Sequence, residues 1–496
     1  MQAGISPTPY KSPDPYYLPK RRVSCHNILD FRLYVCLPDK IGAIALKTYI
    51  QNYDQLLSHG DKKLRSMALQ MLDAALDASN PYKPTKELVH LDGTSVYVGP
   101  HLYDLTERNN IYVLGAGKAT FPIAKALEDV LGDKITEGLI ILKKGHIGVL
   151  DKIRIVEASH PIPDGKGFRG AKEMLKIAKR AGEGDIVFAC ITGGSSALLP
   201  MPVDTITLDE KKMVNRLLLS SGASILEINA VRKHISKIKG GRLACAVFPA
   251  ELINLTVSDV IGDPLDYITD PTAPDTSTFD DALKTLTKYN LLEKVPNSVR
   301  THIEMADPLH ESPKEFGDMV YHNFMLTNND SACEASAVAA KSLGLRPMIL
   351  STMFDGESRE LGRAFASIAK EIRKCQRPLK QPCVLIGGGE SIVTLNRNFG
   401  KGGPNQEFVV STILNLEGQK NFCVAGLDTD GTDGPTDVAG AIADAFTADA
   451  ADARGVKLHN SLENHEVLPA LISLDEIIVT GPTGTNVNDL KFLILR

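Results

Sequence analysis

A lysine flanked by small residues closes the apolar run "NIYVLGAGKAT", at Lys118. In a turn between a strand and a helix, a lysine reaches over the strand ends and meets phosphate or carboxylate oxygens as a point charge. Gly117 beside it lets the backbone approach a ligand closely. A second turn of this kind is "TGGSSALL", where Gly194, Ser195 and Ser196 offer N–H and hydroxyl donors to an anion. Neither serine reads as a nucleophile, because no GxSxG elbow is present and no histidine is placed by sequence to activate one. Aspartates gather in two more turns, Asp259 and Asp263 in "SDVIGDP" and Asp428, Asp430, Asp433 and Asp437 in "DTDGTDGPTD". Carboxylates that close repel unless a cation joins them, and Mg²⁺ takes one or two carboxylates together with phosphate oxygens. Asp259 and Asp430 are the aspartates expected to do metal or substrate chemistry, with Asp263 and Asp430 as the metal candidates. The rest suit turns and helix caps. An EF-hand is excluded, since the glycine falls at the wrong place and the terminal glutamate is missing.

These turns need elements to carry them. "DKKLRSMALQMLDAALDASNP" has apolar residues at helical spacing and stops at a proline. Short β-rich runs then alternate with helical stretches: "NIYVLGAG", "EGLIILKKG", "KIRIVEAS", "GDIVFACITGG" and "ELINLTVSDV". That alternation predicts an α/β fold, a mostly parallel sheet with helices on both faces. A second series begins near residue 321 with "NFMLTNND", "RPMILSTMFDG", "PCVLIGGGES", "NFCVAGLDTDG" and "EIIVTGPTG". The polar, helical stretch over 276–320 suits a connector. Nearly every run ends in glycine, serine, threonine or aspartate, and in open α/β sheets ligands bind beyond the carboxyl ends of the strands. An anion is the expected guest, most simply a phosphate chain. No GxxxxGK[ST] loop occurs, and the single GxGxxG match, "GKGFRG" at Gly165–Gly170, does not leave a strand directly and reads as a turn that starts a helix.

Composition sets the outer limits. The chain has 496 residues, 43% of them apolar, so two domains with separate cores are expected. A net charge of −5 gives no reason to expect nucleic acid or an acidic membrane as partner. No uninterrupted apolar stretch is long enough to span a bilayer. Eight scattered cysteines without CxxC spacing read as reduced thiols of a cytoplasmic protein. Residues 1–60 are proline-rich at the start and lack a period, and read as a poorly ordered extension. Lys20, Arg21 and Arg22 could belong to a mitochondrial presequence, against which Asp14 and Asp30 argue. The domain reading is therefore an extension over 1–60, an N-terminal α/β domain with connector over 61–320 and a C-terminal α/β domain over 321–496.

From about residue 61 onward the chain resembles the class II glycerate 2-kinases, whose C-terminal half carries the domain called MOFRL. The matching stretches include "GAGKA", "HPIPDGKG", "GGSSALLP", "INAVRKHISKIKGGRLA", "SDVIGDP", "KGGPNQE", "DGTDGPTDVAGA" and "GPTGTNVNDL". The resemblance implies a Rossmann-like N-terminal domain and a smaller C-terminal one, with ATP, Mg²⁺ and D-glycerate meeting between them and 2-phosphoglycerate as product. It implies an active-site role for Lys118 and a part for Asp259 in orienting the hydroxyl or holding the metal. Gly117, Gly194, Ser195, Ser196, Lys401, Asn405 and Thr432 are expected to bind substrate or phosphate, with a homo-oligomer left open. Two departures stand out. The family's "GGRNQE" reads "GGPNQE", with Pro404 in place of arginine, and its "IASGPT" reads the shorter "ITDPT", with Asp270 where glycine is expected. They motivate one alternative, a non-catalytic relative that binds glycerate or nucleotide. Another is a hydroxypyruvate reductase, which would require a nicotinamide site.

Overall fold

The computed structural model describes residues 48–496, apart from 109, 146–147, 265–266, 268–269 and 396–398. Residues 1–47, with Cys25, Cys36 and the basic triplet at Lys20, and the start of "ITDPT" lie outside the described residues.

The first sheet has six parallel strands: β1 (Ile111–Ala116), β2 (Glu137–Lys143), β3 (Ile153–Ala158), β4 (Ile186–Ile191), β5 (Glu251–Val257) and β6 (Tyr321–Thr327). Their order is β3-β2-β1-β4-β5-β6, so the chain winds outward from β1 in one direction and then from β4 in the other. This is the doubly wound, Rossmann-like order, and its switch point lies between the carboxyl ends of β1 and β4. β1 and β4 are buried on both faces, which is why they read as continuous apolar runs. The second sheet is mixed. It contains β7 (Arg346–Phe354), β8 (Cys383–Gly389), β9 (Phe422–Asp428), β10 (Gly440–Asp444), β11 (Ile477–Ile478) and β12 (Asp489–Leu495), in the order β7-β8-β12-β9-β10-β11. A small antiparallel sheet of three strands covers Val89–Asp92, Ser95–Val98 and His101–Asp104.

The main helices are α1 (Lys62–Ser79), α2 (Thr120–Leu131), α3 (Gly165–Ala178), α4 (Leu208–Leu219), α5 (Ile225–His234), α6 (Phe279–Lys288), α7 (Asn297–Met305), α8 (Asn329–Ser342), α9 (Ser358–Cys375) and α10 (Pro404–Asn415). No helix among the described residues is long and apolar enough to cross a membrane. α1 starts where the Asp61 carboxylate accepts from Leu64 N, and it buries Leu64, Ala68, Leu69, Met71, Leu72, Ala75 and Leu76. It packs on α8 and on the second sheet, so one apolar core runs from one face of the first sheet, through α1 and α8, to Ile386 and Phe492 of the second.

Four expectations change against this architecture. Tyr321–Thr327, read as the opening strand of the second series, pairs in parallel with β5 as the edge of the first sheet. β12 is not among the runs expected as strands, yet it lies at the centre of the second sheet, between β8 and β9. The stretch over 276–320 does more than connect, because α6 and α7 close a separate core with α4 and α5 around Val214, Leu218, Val231, Phe279 and Val299. Finally, residues 48–60 are ordered by docking: Ile50 and Leu56 are fully buried, Gln51 N donates to Val479 O, and the Asn52 amide donates to Ile477 O.

Candidate active site

Lys118 sits at the switch point. The turn Gly117–Ala119 leaves β1 for α2 and is laced to the turn after β4: Lys118 N donates to Gly193 O at 2.8 Å, and Ala119 N donates to Thr192 Oγ1 at 3.2 Å. Gly117 has φ +142°, and a Cβ there would fall 2.1 Å from Thr192 Oγ1, so no larger residue fits between the two turns. Gly193 plays the same part toward the loop after β5, since a Cβ would land 1.7 Å from Asp259 Oδ2. Its bare backbone lets the Asp259 carboxylate lie against the second turn.

The ammonium of Lys118 reaches across to the other sheet and donates to Asp430 Oδ2 at 2.7 Å. Asp430 is held in place through its other oxygen, which accepts from Thr432 N at 2.8 Å and Thr432 Oγ1 at 2.7 Å. Its own N–H donates to Asp428 Oδ1 at 2.9 Å. Asp259 Oδ2 accepts from the Asn486 amide at 3.1 Å.

The charges respond to one another. Burial alone would lower Lys118, but Asp430, then Asp428 and Asp259, lift it above its ordinary value. Asp430 is pulled below the usual carboxylate range, because the Lys118 charge and the Thr432 hydrogen bonds outweigh burial. Asp259 is pushed up, chiefly by burial, with Asp430 adding to it and Lys118 opposing. Burial, then Asp430 and Asp489, raise Asp428 well above its normal range. Glu390, at the end of β8, is raised by burial and then by Asp259 and Asp489. His160 is driven down to about 4 by burial and by the Lys118 and Lys143 ammonium groups. One lysine thus stands among carboxylates that it only partly neutralises. Gly117, Lys118, Asp430 and Thr432 line a cleft of about 560 Å³, together with Lys143, Lys144 and the turn at Thr483–Thr485.

The remaining candidates divide. Gly194, at φ +85°, opens the turn that carries Ser195 and Ser196, and a Cβ on it would lie 3.2 Å from His160 Nε2. Neither serine hydroxyl makes a hydrogen bond among the described residues; Ser195 is buried and Ser196 half-buried. Asp263 does not join Asp430: its Oδ2 accepts from Asn328 at 2.7 Å, and it lines a separate cavity of about 180 Å³. The metal pair Asp263 and Asp430 is therefore not brought together, because the loop after β5 turns Asp259 toward Lys118 and Asp263 toward α8. Asn405 is fully buried, and its amide serves Asp433 and Asp489 while Lys491 donates to its oxygen. The polar atoms of that side chain are thus engaged within the protein. Lys401 is exposed, with no ion-pair partner among the described residues. Pro404 occupies the first position of α10, where a missing N–H costs nothing. Asp270 is not turned toward Lys118, since its oxygens take Lys239 Nζ at 2.6 Å and Gly240 N at 2.7 Å. "GKGFRG" lies within the first turns of α3, capped by Asp164 through Gly167 N at 2.9 Å, as a helix start should be.

Sequence reasoning missed His160, Lys143, Glu390 and Asn486 as members of the site. The signal for three of them was present, since each closes or follows an apolar run that was read as a strand, but nothing local says which way its side chain faces.

Residues 67–304 match the family described as a domain of unknown function, DUF4147, and residues 383–489 match the MOFRL family. The chain is 41% identical over 435 residues to the glycerate 2-kinase of Pyrococcus horikoshii, an alignment that covers 87% of this chain and 97% of that protein. It is 31% identical to the glycerate kinase of Rattus norvegicus, with 87% of this chain and 93% of that one covered. The crystal structure of glycerate kinase from Thermotoga maritima superposes with a TM-score of 0.76 at 38% identity, covering 87% of this chain and 99% of the other.

Proposed function

The chain belongs to the glycerate 2-kinase family, and on that premise we propose that it transfers the γ-phosphoryl group of ATP to the 2-hydroxyl of D-glycerate. The observation that carries this reading is the Lys118–Asp430 pair, which joins the two sheets at the switch point with Asp259 beside it. Phosphoryl transfer asks a protein mainly for positioning and for charge placed where oxygens gather it. Lys118 supplies the fixed positive charge, meeting a transferring phosphoryl oxygen in place of the Asp430 carboxylate. Ser195, Ser196 and the backbone around Gly194 supply donors on the same side. Asp259 takes the proton of the attacking hydroxyl, a role its raised proton affinity favours. The new bond forms between the 2-oxygen and the γ-phosphorus, the bond from that phosphorus to the bridging oxygen breaks, and ADP leaves with the electron pair.

The residues present fit a magnesium ion carried in with the nucleotide. An ion that arrives with the nucleotide takes most of its ligands from phosphate oxygens and one or two from carboxylates. Asp428 and Asp430 are the carboxylates that would hold it, since burial and then Asp430 raise Asp428 and a second cation offsets both. The ion's chemistry is neutralisation of phosphate charge. The reductase alternative loses its one fingerprint, because "GKGFRG" lies within α3 and not in a strand-to-helix turn.

The test is direct. Purified protein with D-glycerate, ATP and Mg²⁺ should release ADP, and phosphorus NMR should show the 2-phosphate. Absence of ADP release would favour the non-catalytic relative. Oxidation of NADH by hydroxypyruvate faster than ADP release would favour the reductase.

A further inference from the structure

The block "INAVRKHISKIKGGRLA" spans α5 and the turn after it, and none of its side chains has a part in the cleft around Lys118. It does face a charge problem. Lys211, on the neighbouring α4, is buried, and its ammonium has no hydrogen-bond partner among the described residues. The groups around it are mostly of the same sign: Lys239, Arg232 and Arg242, against the single carboxylate of Asp270.

That carboxylate is already taken, by Lys239 Nζ and Gly240 N. Arg242 is also engaged, donating to the carbonyls of Lys233, Lys239 and His310. Arg232 is half-buried and gives only Nε, to Asn215 Oδ1 at 3.2 Å. What remains is one whole ammonium and most of a guanidinium that repel each other, with the already engaged Asp270 as the carboxylate they share, and Arg232 is held to Asn215, one helical turn on from Lys211. Burial, then the Lys239 and Arg232 cations, hold Lys211 down to about 7. A buried charge left unpaired is strongly destabilising, and a buried donor left unmade adds to it.

We propose that Lys211 and Arg232 form a binding site for a small oxyanion, a carboxylate or phosphate group, between α4, α5 and the turn that carries Lys239. Arg232, open to solvent on one side, is the entry; Lys211 is the inner anchor. Asp270 sets the charge of the site by cancelling Lys239, leaving room for one or two negative charges. The backbone ties this site to the loops of the cleft, since Val203 N donates to Ile235 O and Lys237 N to Met201 O, on the segment that leaves the turn at Gly194. The anion can be a free phosphate or the carboxylate of a small hydroxy acid, and the probes separate the two.

The experiment uses the full chain carrying Lys118→Met, which removes the central cation of the cleft and leaves Lys143 and Lys144 at its wall, and measures the rise in Tm with inorganic phosphate or D-glycerate. A concentration-dependent rise with either probe is expected, and the effective probe identifies the source. Adding Lys211→Met or Arg232→Met should weaken that response at least about tenfold in the concentration required. Lys211→Met removes a buried charge without changing shape much, so it should fold with an unchanged or higher Tm in the absence of anion. A response to neither probe, or one that survives both substitutions, would overturn the proposal and leave Lys211 a neutral buried amine.

Discussion

At Lys118 burial and charge compete, and charge wins. The ammonium is mostly withdrawn from water, yet three aspartates keep it protonated and hold it between the sheets. Its substitution by methionine should therefore lower kcat/KM for D-glycerate by at least about 10²-fold, the usual size for losing a charge that acts in the transition state. Stability should fall as well, by about 1–3 kcal/mol, because Asp430 and the neighbouring Asp428 and Asp259 lose the one cation they share. Steady-state kinetics and urea unfolding on one preparation separate the two. His160 gives a second prediction at this scale. Its folded-state value of about 4 lies below the ordinary 6.5, so as pH falls through that window the unfolded chain takes up a proton that the folded chain refuses. Stability is fully present above pH 6.5 and is lost as pH falls toward 4. His160→Gln should flatten this dependence, and unfolding midpoints at pH 7 and pH 5 would reveal it.

At the scale of elements, the turn "DTDGTDGPTD" does two jobs that its sequence merges. Asp430 faces Lys118, whereas Asp433 turns inward and caps α10. It accepts from Asn405 N at 3.0 Å and Gln406 N at 2.9 Å, the second and third positions of a helix whose own cap residue, Gly403, has no side chain to offer. Burial and then Asp489 push Asp433 up to about 7, while those N–H groups pull the other way. Asp433→Ala leaves two buried helix donors unmade, so it should cost about 1–3 kcal/mol of stability. Asn405 loses one of its partners in the same change and its link to Asp489 and Lys491 weakens. Urea denaturation checks the cost, and a loss below about 0.5 kcal/mol would mean that water replaces the cap. The element also shows why Pro404 is tolerated: the first position of a helix accepts the fixed φ of proline and has no use for its N–H.

For the whole molecule, the structural question is what binds α1 to the second sheet, given that the chain between them runs through the entire first sheet. Part of the answer is apolar, through Leu69, Leu72 and Leu76. The rest is a buried ion group. Arg65 is fully buried and donates through Nε to Asp444 and through Nη2 to Glu476, while Asp61 N also donates to Asp444. Arg65→Met would leave both carboxylates buried without their cation, and should destabilise the protein by about 3–5 kcal/mol. Because that contact joins the two ends of the chain, the loss should appear in a single unfolding transition seen by both far-UV circular dichroism and tyrosine fluorescence. Two separated transitions would show that the sheets unfold independently.

The sequence by itself determined the local pieces. Apolar runs ending in glycine and serine marked β1, β2, β4, β5, β8 and β9, since a strand buried on both faces and the turn that ends it are written in adjacent residues. For the same reason Lys118, Gly117, Gly194 and Asp259 were legible as strand-end chemistry before any fold was known. Only the tertiary structure decided which strand ends meet. Lys118 and Asp430 lie 312 positions apart and touch because the two sheets share the core around α1 and α8. Asp259 and Asp263, four positions apart, part company because the loop between them turns one carboxylate to the cleft and the other to Asn328. Tyr321–Thr327 reads as the start of a second domain and forms the edge of the first sheet, and Asn405 is buried among hydrogen bonds to Asp433, Asp489 and Lys491 that no local pattern announces. The facing of a side chain at a strand end depends on the neighbour laid beside it, and that neighbour comes from a distant part of the chain.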